Sequence, residues 1–253
     1  MNIILSGAAG HMGRAVAEAA LSQGLTVAAG VDVATAALPF PLYPDFASLP
    51  APGPDTVVVD FSHPGTLEGL LTWARAHRVP AVLATTGYSE AQKALIAESA
   101  KELPLFASGN FSLGIALLRR LAREAAQVLG EDFDVEIVEA HHRRKVDAPS
   151  GTALMLYDAV SSAYSEGREA VYSRADRRQP RPRNEIGIHS VRGGTVTGEH
   201  EVCFLGPQER LTLSHSAENR SLFATGALKA ASFLLCRAPG LYDMDDLVST
   251  ALR

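Results

Sequence analysis

The chain has 253 residues, of which 47% are hydrophobic and 20% charged, and its formal net charge of -5 at pH 7 disfavours nucleic-acid or membrane partners. No apolar run approaches the roughly 20 residues that a membrane-spanning helix needs, and the start MNIILSGAAG lacks the basic region of a signal peptide. Only two cysteines occur, far apart, so we expect no disulfide framework and a cytoplasmic location.

The first half of the chain alternates short apolar segments with helical patterns. Strands are predicted at residues 2–5, 26–31, 56–60, 81–84 and 105–107. Helices are predicted at residues 14–21, 66–77 and 89–103, and the last begins with a capping-box pattern formed by Ser89 and Gln92. Strands and helices that alternate at this spacing are typical of βαβ units, so we expect an α/β fold with a parallel sheet.

The pattern changes after Asn110. Helices are predicted at residues 113–129, after Ser150, at residues 219–236 and from residue 243. Strands are predicted at residues 133–137, 186–192, 195–205 and 211–216, and the glycine turns between the last three are typical of an antiparallel meander. The polar, Arg-rich residues 166–185 are predicted to form a mobile loop. A second, mixed α+β domain with an antiparallel or mixed sheet is therefore expected.

A glycine motif lies between the first predicted strand and helix. Its residues are Gly7, Gly10 and Gly13, with two residues between each pair. Glycines allow a tight turn and a close approach to a pyrophosphate, which the helix N-terminus favours. A glycine-rich turn alone is weak support, but Asp32 ends the second strand about 20 residues further on, where a ribose-binding acid belongs. Together these features predict a Rossmann-type dinucleotide site.

A second motif, EAHHRRKVDAPSGT, occupies residues 139–152. Imidazoles and a lysine can transfer protons and bind carboxylates, and the predicted helix start offers backbone N–H groups to an anion. A solvated basic loop is the alternative interpretation. No metal site is expected, because neighbouring strand residues point to opposite faces and no zinc-type spacing occurs. The residues alone leave the choice open between an acid/base site and a solvated loop.

The segment EAHHRRKVDAPSGTAL closely resembles the E-x-H-H-x-x-K-x-D-x-P-S-G-T-A signature of 4-hydroxy-tetrahydrodipicolinate reductases. Further family-like segments follow one another along the whole chain: GAAGHMGR, ATTGYS, SGNFSLG, VRGGTVTGEHEVCF and ENRSLFATGAL. One departure is Ala84, where the family usually has glycine. The added Cβ predicts a small local shift beside the cofactor and no loss of activity.

The resemblance implies an overall organisation. It implies a Rossmann-type, doubly wound parallel sheet in residues 1–111 plus 220–253, which would bind the dinucleotide. Residues 112–219 would form an inserted mixed α+β domain for substrate binding and assembly into a homotetramer. The implied reaction is the reduction of a cyclic imine dicarboxylate by NAD(P)H in diaminopimelate and lysine biosynthesis. Rival functions are another Rossmann imine reductase or amino-acid dehydrogenase, or a non-catalytic dinucleotide sensor.

The resemblance also assigns roles to individual residues. His141 would be the acid/base group, and Lys145 would donate a proton and attract the substrate. The substrate carboxylates would be held by His142, Ser150, Gly151 and Thr152. The cofactor would be held by Gly7, Ala8, Ala9, Gly10, His11, Met12, Asp32, Ala84, Thr85, Thr86, Ser108, Gly109, Asn110 and Phe111.

Two further expectations concern charge. Asp32 can accept hydrogen bonds from the 2′-hydroxyl of NADH but would repel a 2′-phosphate, and the following residue is the uncharged Val33. We therefore expect NADH to be preferred and NADPH to be used as well. The arginines of the polar segment, Arg174, Arg177, Arg178, Arg181 and Arg183, are expected to belong to a solvated loop and not to a substrate funnel.

Overall fold

The computed structural model describes residues 1–175 and 177–251. The chain forms two compact units. Unit 1 contains Met1–Ser112 and the C-terminal segment that starts at Ser221, and unit 2 is Leu113–Arg220. The domains predicted from the sequence also include residues 176, 252 and 253, which lie outside the described residues.

The strands of the described residues are two to eight residues long. They are, in chain order, β1 (Asn2–Ser6), β2 (Thr26–Val31), β3 (Leu42–Tyr43), β4 (Thr56–Asp60), β5 (Ala81–Leu83), β6 (Pro104–Ala107), β7 (Asp134–His141), β8 (Glu169–Val171), β9 (Glu185–Arg192), β10 (Glu199–Leu205), β11 (Arg210–Ser216) and β12 (Gly240–Tyr242).

The helices begin and end at residues that the sequence marks. They are α1 (His11–Ser22), α2 (Leu67–His77), α3 (Glu90–Ser99), α4 (Leu113–Leu129), α5 (Gly151–Ser161), α6 (Ser221–Leu234) and α7 (Met244–Ala251). Ser89 and Gln92 form the predicted capping box of α3. Helix α4 ends before Gly130, whose φ of 62° lies in the left-handed region that glycine adopts most readily.

Unit 1 contains a parallel sheet of seven strands in the order β12-β6-β5-β4-β1-β2-β3. The order reverses at β1: strands β2 and β3 follow it on one side, and strands β4, β5 and β6 follow it on the other. In open parallel sheets ligands bind beyond the carboxyl ends of the strands at such a point. Strand β4 is buried along its whole length, as a central strand with both faces covered must be. The predicted Rossmann-type α/β class is confirmed.

Unit 2 contains a mixed sheet of five strands in the order β11-β10-β7-β9-β8. Along β7 buried and half-buried residues alternate, which places Val135, Ile137, Glu139 and His141 on one face. This face packs in a common core with apolar residues of α4 and α5. The predicted mixed second domain is confirmed.

The predicted meander is confirmed for β10 and β11, which pair antiparallel, but it is wrong for β9, because β7 lies between β9 and β10. It is parallel to β9 and antiparallel to β10. The connection between those two strands crosses the end of β7, where Gly193 N–H donates to His141 O at 3.0 Å and His142 N–H donates to Val196 O at 2.8 Å. The glycines at residues 193–194 therefore belong to a crossing and not to a hairpin.

The prediction of a solvated Arg-rich loop also needs correction. Within the segment, Arg174 and Arg177 donate to Glu185 at 2.7 and 2.5 Å, and Arg181 donates to Glu136 at 3.0 Å. Glu185 is buried, and a buried carboxylate needs such partners to offset the loss of hydration. These three arginines thus fasten the segment to strands β7 and β9.

Candidate active site

The loop between β1 and α1 lies at the reversal point of the sheet in unit 1. Gly7 has φ 76°, and a Cβ there would lie 2.5 Å from Phe61 O. A Cβ on Gly13 would lie 2.1 Å from Gly7 O. No side chain can occupy either position without moving the backbone, so the loop and the first turn of α1 pack as tightly as the glycine motif predicts.

The start of α1 is suited to an anion. Its N-cap is Gly10, no side chain of the described residues caps it, and its first turn contains no acidic residue. Backbone N–H groups at such a start carry a partial positive charge. Ala8 is fully buried in the loop, whereas His11 is exposed. This arrangement fits a pyrophosphate at residues 7–12.

Asp32 directly follows β2 and faces the same loop. Its Oδ2 accepts from Ala9 N–H and its Oδ1 from Ala34 N–H, both at 2.9 Å. These two bonds fix the carboxylate beside the glycine loop. Each carboxylate oxygen keeps a further lone pair, so Asp32 can also accept hydrogen bonds from ribose hydroxyls.

A cavity of about 380 Å³ opens beyond the carboxyl ends of β5 and β6 in unit 1. It is lined by Leu83, Thr85, Thr86, Gly87, Tyr88, Lys93, Ala107, Ser108 and Gly109. Four predicted nicotinamide residues, Thr85, Thr86, Ser108 and Gly109, thus share one cavity. Phe111 is 2% exposed and its ring lies 6.0 Å from that of Phe61, so its side chain is part of the core.

The cavity wall is anchored by Asp60, a residue that sequence reasoning missed. Asp60 is 1% exposed, and its Oδ2 accepts from the Thr85 hydroxyl at 2.7 Å. The Tyr88 hydroxyl lies 3.4 Å from the same oxygen, and burial first, then the Asp60 charge, raise the pKa of Tyr88. Asp60 ends a buried strand, and that position was the available signal in the sequence.

In unit 2 the end of β7 brings a carboxylate and an imidazole together. Glu139 Oε2 lies 2.6 Å from His141 Nδ1, and Glu139 is fully buried. Arg192 of β9 donates to both carboxylate oxygens at 2.8 and 2.7 Å, and Ser150 N–H donates to Oε1 at 3.1 Å. Burial would raise the pKa of Glu139, but its hydrogen bonds, first those with Arg192 and Ser190 and then those with His141 and Ser150, lower it to about 2.

The pKa of His141 is lowered mainly by burial, against the raising effect of Glu139. The positive charges of Lys145 and Arg192 lower this pKa as well. The predicted acid/base pair, His141 and Lys145, is therefore close enough to interact electrostatically.

His200 of β10 is a second buried imidazole that the sequence did not assign. Its ring centre lies 5.2 Å from that of His141 in an edge-on arrangement, and its Nε2 lies 3.3 Å from Ser150 Oγ. Burial first, then the positive charge of a protonated His141, lowers the pKa of His200 to about 4. His200 is therefore neutral near pH 7.

The lowered pKa of His200 predicts a loss of stability in acid. The unfolded imidazole binds a proton below about pH 6.5, whereas the folded one does so only near pH 4. The stability contributed by the neutral form is thus complete above about pH 6.5 and is lost as the pH falls towards 4. We expect the free energy of unfolding, measured in urea, to fall over this window, and His200→Gln to reduce the slope. An equal slope in the variant would contradict the assignment.

The predicted carboxylate-binding residues of unit 2 begin with His142, which directly follows His141. Arg220, which sequence reasoning also missed, has its Nη2 3.3 Å from His142 Nε2. Lys145 Nζ pairs with Asp147 Oδ2 at 2.9 Å, and the hydrogen bond from Lys145 is the main cause that lowers the pKa of Asp147.

Ser150 caps α5, since its Oγ accepts from Ala153 N–H at 3.2 Å. Gly151 and Thr152 form the first turn of this helix, which contains no acidic residue. The start of α5 therefore carries the partial positive charge that favours an anion, next to the buried Glu139–His141 pair.

No helix within the described residues is both long and apolar enough to cross a membrane.

Comparison with known families gives two matches. Residues 1–111 match the family description "Dihydrodipicolinate reductase, N-terminus" and residues 114–248 match "Dihydrodipicolinate reductase, C-terminus".

Curated relatives carry the corresponding name. A 4-hydroxy-tetrahydrodipicolinate reductase of Caldanaerobacter subterraneus subsp. tengcongensis is 49% identical over 98% of both chains. One from Clostridium novyi is 39% identical over 98% of both chains. The dipicolinate-bound dihydrodipicolinate reductase of Paenisporosarcina sp. TG-14 matches in structure with a TM-score of 0.80 and 23% identity, over 97% of this chain and 98% of that one. The structural likeness supports the fold.

Proposed function

This chain belongs to the dihydrodipicolinate reductase family, and we propose that it reduces 4-hydroxy-tetrahydrodipicolinate through the residues described above. It is an NAD(P)H-dependent oxidoreductase of diaminopimelate and lysine biosynthesis. The observation that supports this function best is the buried Glu139–His141 pair beside the anion-binding start of α5. A general dehydrogenase or a dinucleotide sensor would not require this arrangement.

In unit 1 the residues that would hold the cofactor are those of the glycine loop and of the cavity beyond β5. The start of α1 would bind the pyrophosphate, Asp32 the adenosine ribose, and Thr85, Thr86 and Ser108 the nicotinamide side. The reduced nicotinamide supplies a hydride. Asp60 would hold the Thr85 hydroxyl in place, so that the cavity wall keeps one shape.

In unit 2 the residues would bind the substrate carboxylates and deliver a proton. His142, Ser150, Gly151 and Thr152 would hold the carboxylates, with Arg220 beside His142 as a further cation. The 4-hydroxyl group of the substrate leaves as water, and reduction of the resulting unsaturated ring takes up one hydride and one proton. We assign acid/base chemistry to His141 and proton donation to Lys145, whose charge also attracts the dianionic substrate.

A coupled assay tests the proposal. A dihydrodipicolinate synthase with pyruvate and aspartate semialdehyde generates the substrate in the assay, and NADH or NADPH oxidation is followed by absorbance. We expect oxidation that depends on the synthase. Equal oxidation without the synthase, or none with it, would refute the proposal.

We propose a preference for NADH over NADPH. The Asp32 carboxylate is fixed by two backbone N–H groups and cannot easily turn away from a 2′-phosphate. Val33 is 91% exposed and places no charge beside the ribose site. We therefore expect a higher kcat/KM with NADH, and we expect Val33→Arg to shift the ratio towards NADPH.

The control for this substitution is Val128→Arg, which adds the same charge at an exposed position of α4 in unit 2. It should leave the ratio unchanged. A wild-type preference for NADPH would mean that another cation reaches the phosphate. No effect of Val33→Arg would show that residues after Asp32 do not pass the ribose.

We also propose a homotetramer, on the family resemblance and on the presence of edge strands β8 and β11 in unit 2. Sedimentation at micromolar concentration should give about four times the monomer mass of 26.8 kDa. A monomer alone would contradict this. The cytoplasmic location stays a prediction.

A further inference from the structure

Glu139 has no part in the roles assigned so far, yet among the described residues of unit 2 it is the carboxylate with the most hydrogen bonds. Its Oε2 contacts His141 Nδ1 and Arg192 Nη1, and its Oε1 accepts from Arg192 Nη2 and Ser150 N–H. It is fully buried. A buried carboxylate without these partners would be strongly destabilising, so the complete bonding shows a built arrangement and not a chance contact.

The bonding determines where the proton of neutral His141 must lie. The pKa of Glu139 is about 2, so near pH 7 the carboxylate is ionised and can only accept hydrogen bonds. At 2.6 Å from it, His141 Nδ1 must carry a hydrogen. The nitrogen that can take up or release a proton is therefore Nε2.

The space beside Nε2 agrees with that assignment. A Cβ on Gly198 would lie 3.1 Å from His141 Nε2, closer than ordinary van der Waals contact. Glycine at this position keeps a side chain away from the nitrogen that must exchange a proton. Of the charged and titratable groups around His141, Glu139 belongs to the same strand, Arg192 to β9, His200 to β10, and Lys145 to the following loop.

We infer that Glu139, held in place by two hydrogen bonds from Arg192, is a positioning residue that fixes the tautomer of His141. Through its bond to Ser150 N–H it also fixes His141 relative to the start of α5, where the substrate carboxylates would bind. The inference rests on the proposed function for its catalytic consequence. The positioning role itself does not depend on the proposed function, because one carboxylate bonds both Ser150 N–H and His141 Nδ1. A single side chain thus sets the relative position of the proton-transfer group and the anion site within unit 2.

The first test is 15N NMR of the imidazoles in the full-length protein, with the His141 signals assigned by their loss in His141→Gln. We expect the neutral ring of unsubstituted His141 to carry its hydrogen on Nδ1. In Glu139→Gln we expect a mixed or reversed tautomer and a His141 pKa below that of the unsubstituted protein, because Glu139 raises it. A hydrogen on Nε2 in the unsubstituted protein would overturn the inference, whether or not any variant folds.

The second test is a double-mutant cycle on kcat. Glu139→Gln should lower kcat substantially, up to the ~10⁴-fold that a wrongly oriented imidazole costs. In the His141→Gln background the same change should cost no more than about 3-fold, because residues that act as a unit are not additive. Equal losses in both backgrounds would overturn the inference and indicate a purely structural role.

The matched control is Glu136→Gln. Glu136 lies on the opposite face of β7 and likewise bonds an arginine and a histidine, Arg181 and His189. The Glu136→Gln variant should leave kcat and the His141 pKa unchanged. A loss of kcat as large as that of Glu139→Gln would overturn the inference. Absence of reductase activity in the unsubstituted protein would instead refute the proposed function, and the NMR result would still decide whether Glu139 fixes the tautomer.

Discussion

Replacing His141 by glutamine is expected to lower kcat by about 10²–10⁴-fold, the range that a well-placed acid or base contributes. The glutamine amide can still accept or donate a hydrogen bond, but it cannot exchange a proton near pH 7. The affinity for NADH should not change, because the residues assigned to the cofactor belong to unit 1 and His141 belongs to unit 2. Steady-state kinetics together with NADH titration by fluorescence measure both quantities.

His189→Gln provides the matched control for this change. His189 lies on the neighbouring strand β9 and also bonds a carboxylate, that of Glu136 at 2.7 Å. It lies on the sheet face opposite to His141, so kcat should stay within about 2-fold, as expected for a substitution outside the site. Near-normal turnover of His141→Gln would refute the role of His141 and leave the family assignment intact.

The parallel sheet could be predicted because its signals are local. Strand β1, the glycine loop and α1 follow one another within 22 residues, and each is specified by its own apolar pattern or glycines. Strand β12 was missed, since it has three residues, none of them buried, and pairs with β6 at the sheet edge. These residues form a strand because they pair with β6, which lies more than 130 residues earlier in the chain. The local residue pattern carries no sign of that partner.

The order of the strands in unit 2 depends on contacts that the chain pattern does not encode. The glycines at residues 193–194 favour a hairpin when only their neighbours are considered. The insertion of β7 between β9 and β10 was not predictable from them, because it depends on pairing across about 50–70 residues. Strand pairing is in general less well specified by local sequence than helix boundaries are.

In the candidate site, too, the residues that lie close together in the chain could be predicted, and those that come from distant segments could not. The motif at residues 139–152 identified His141, Lys145 and the start of α5. It did not reveal Arg192, His200 or Arg220, which come from segments 50–80 residues further along the chain and meet the motif only in the folded unit. All three residues lie in the family-like segments VRGGTVTGEHEVCF and ENRSLFATGAL, but those segments alone do not distinguish an arginine that bonds a buried carboxylate from a solvated one. That difference comes from the burial of Glu139.

Gly13→Ala is expected to weaken NADH binding strongly and to destabilise unit 1. A Cβ at this position would lie 2.1 Å from Gly7 O and 2.8 Å from Ala8 Cα, which are backbone atoms that cannot rotate away. Helix α1 and the glycine loop must therefore separate, and overpacking of this kind costs about 1–3 kcal/mol. If the loop can bind the pyrophosphate only in its tight form, the same energy corresponds to a rise in Kd of roughly 5- to 150-fold.

The control is the same substitution at Gly69, an exposed position inside α2 where an added Cβ has no neighbour within 4 Å. There alanine should stabilise by up to about 1 kcal/mol, because glycine is the poorer helix former. Thermal unfolding should thus shift in opposite directions for the two variants, and only Gly13→Ala should lose NADH affinity. Normal NADH binding by Gly13→Ala would mean that the tight contact between α1 and the loop is not what shapes the pyrophosphate site. Loss of stability without loss of affinity would assign that contact to folding alone.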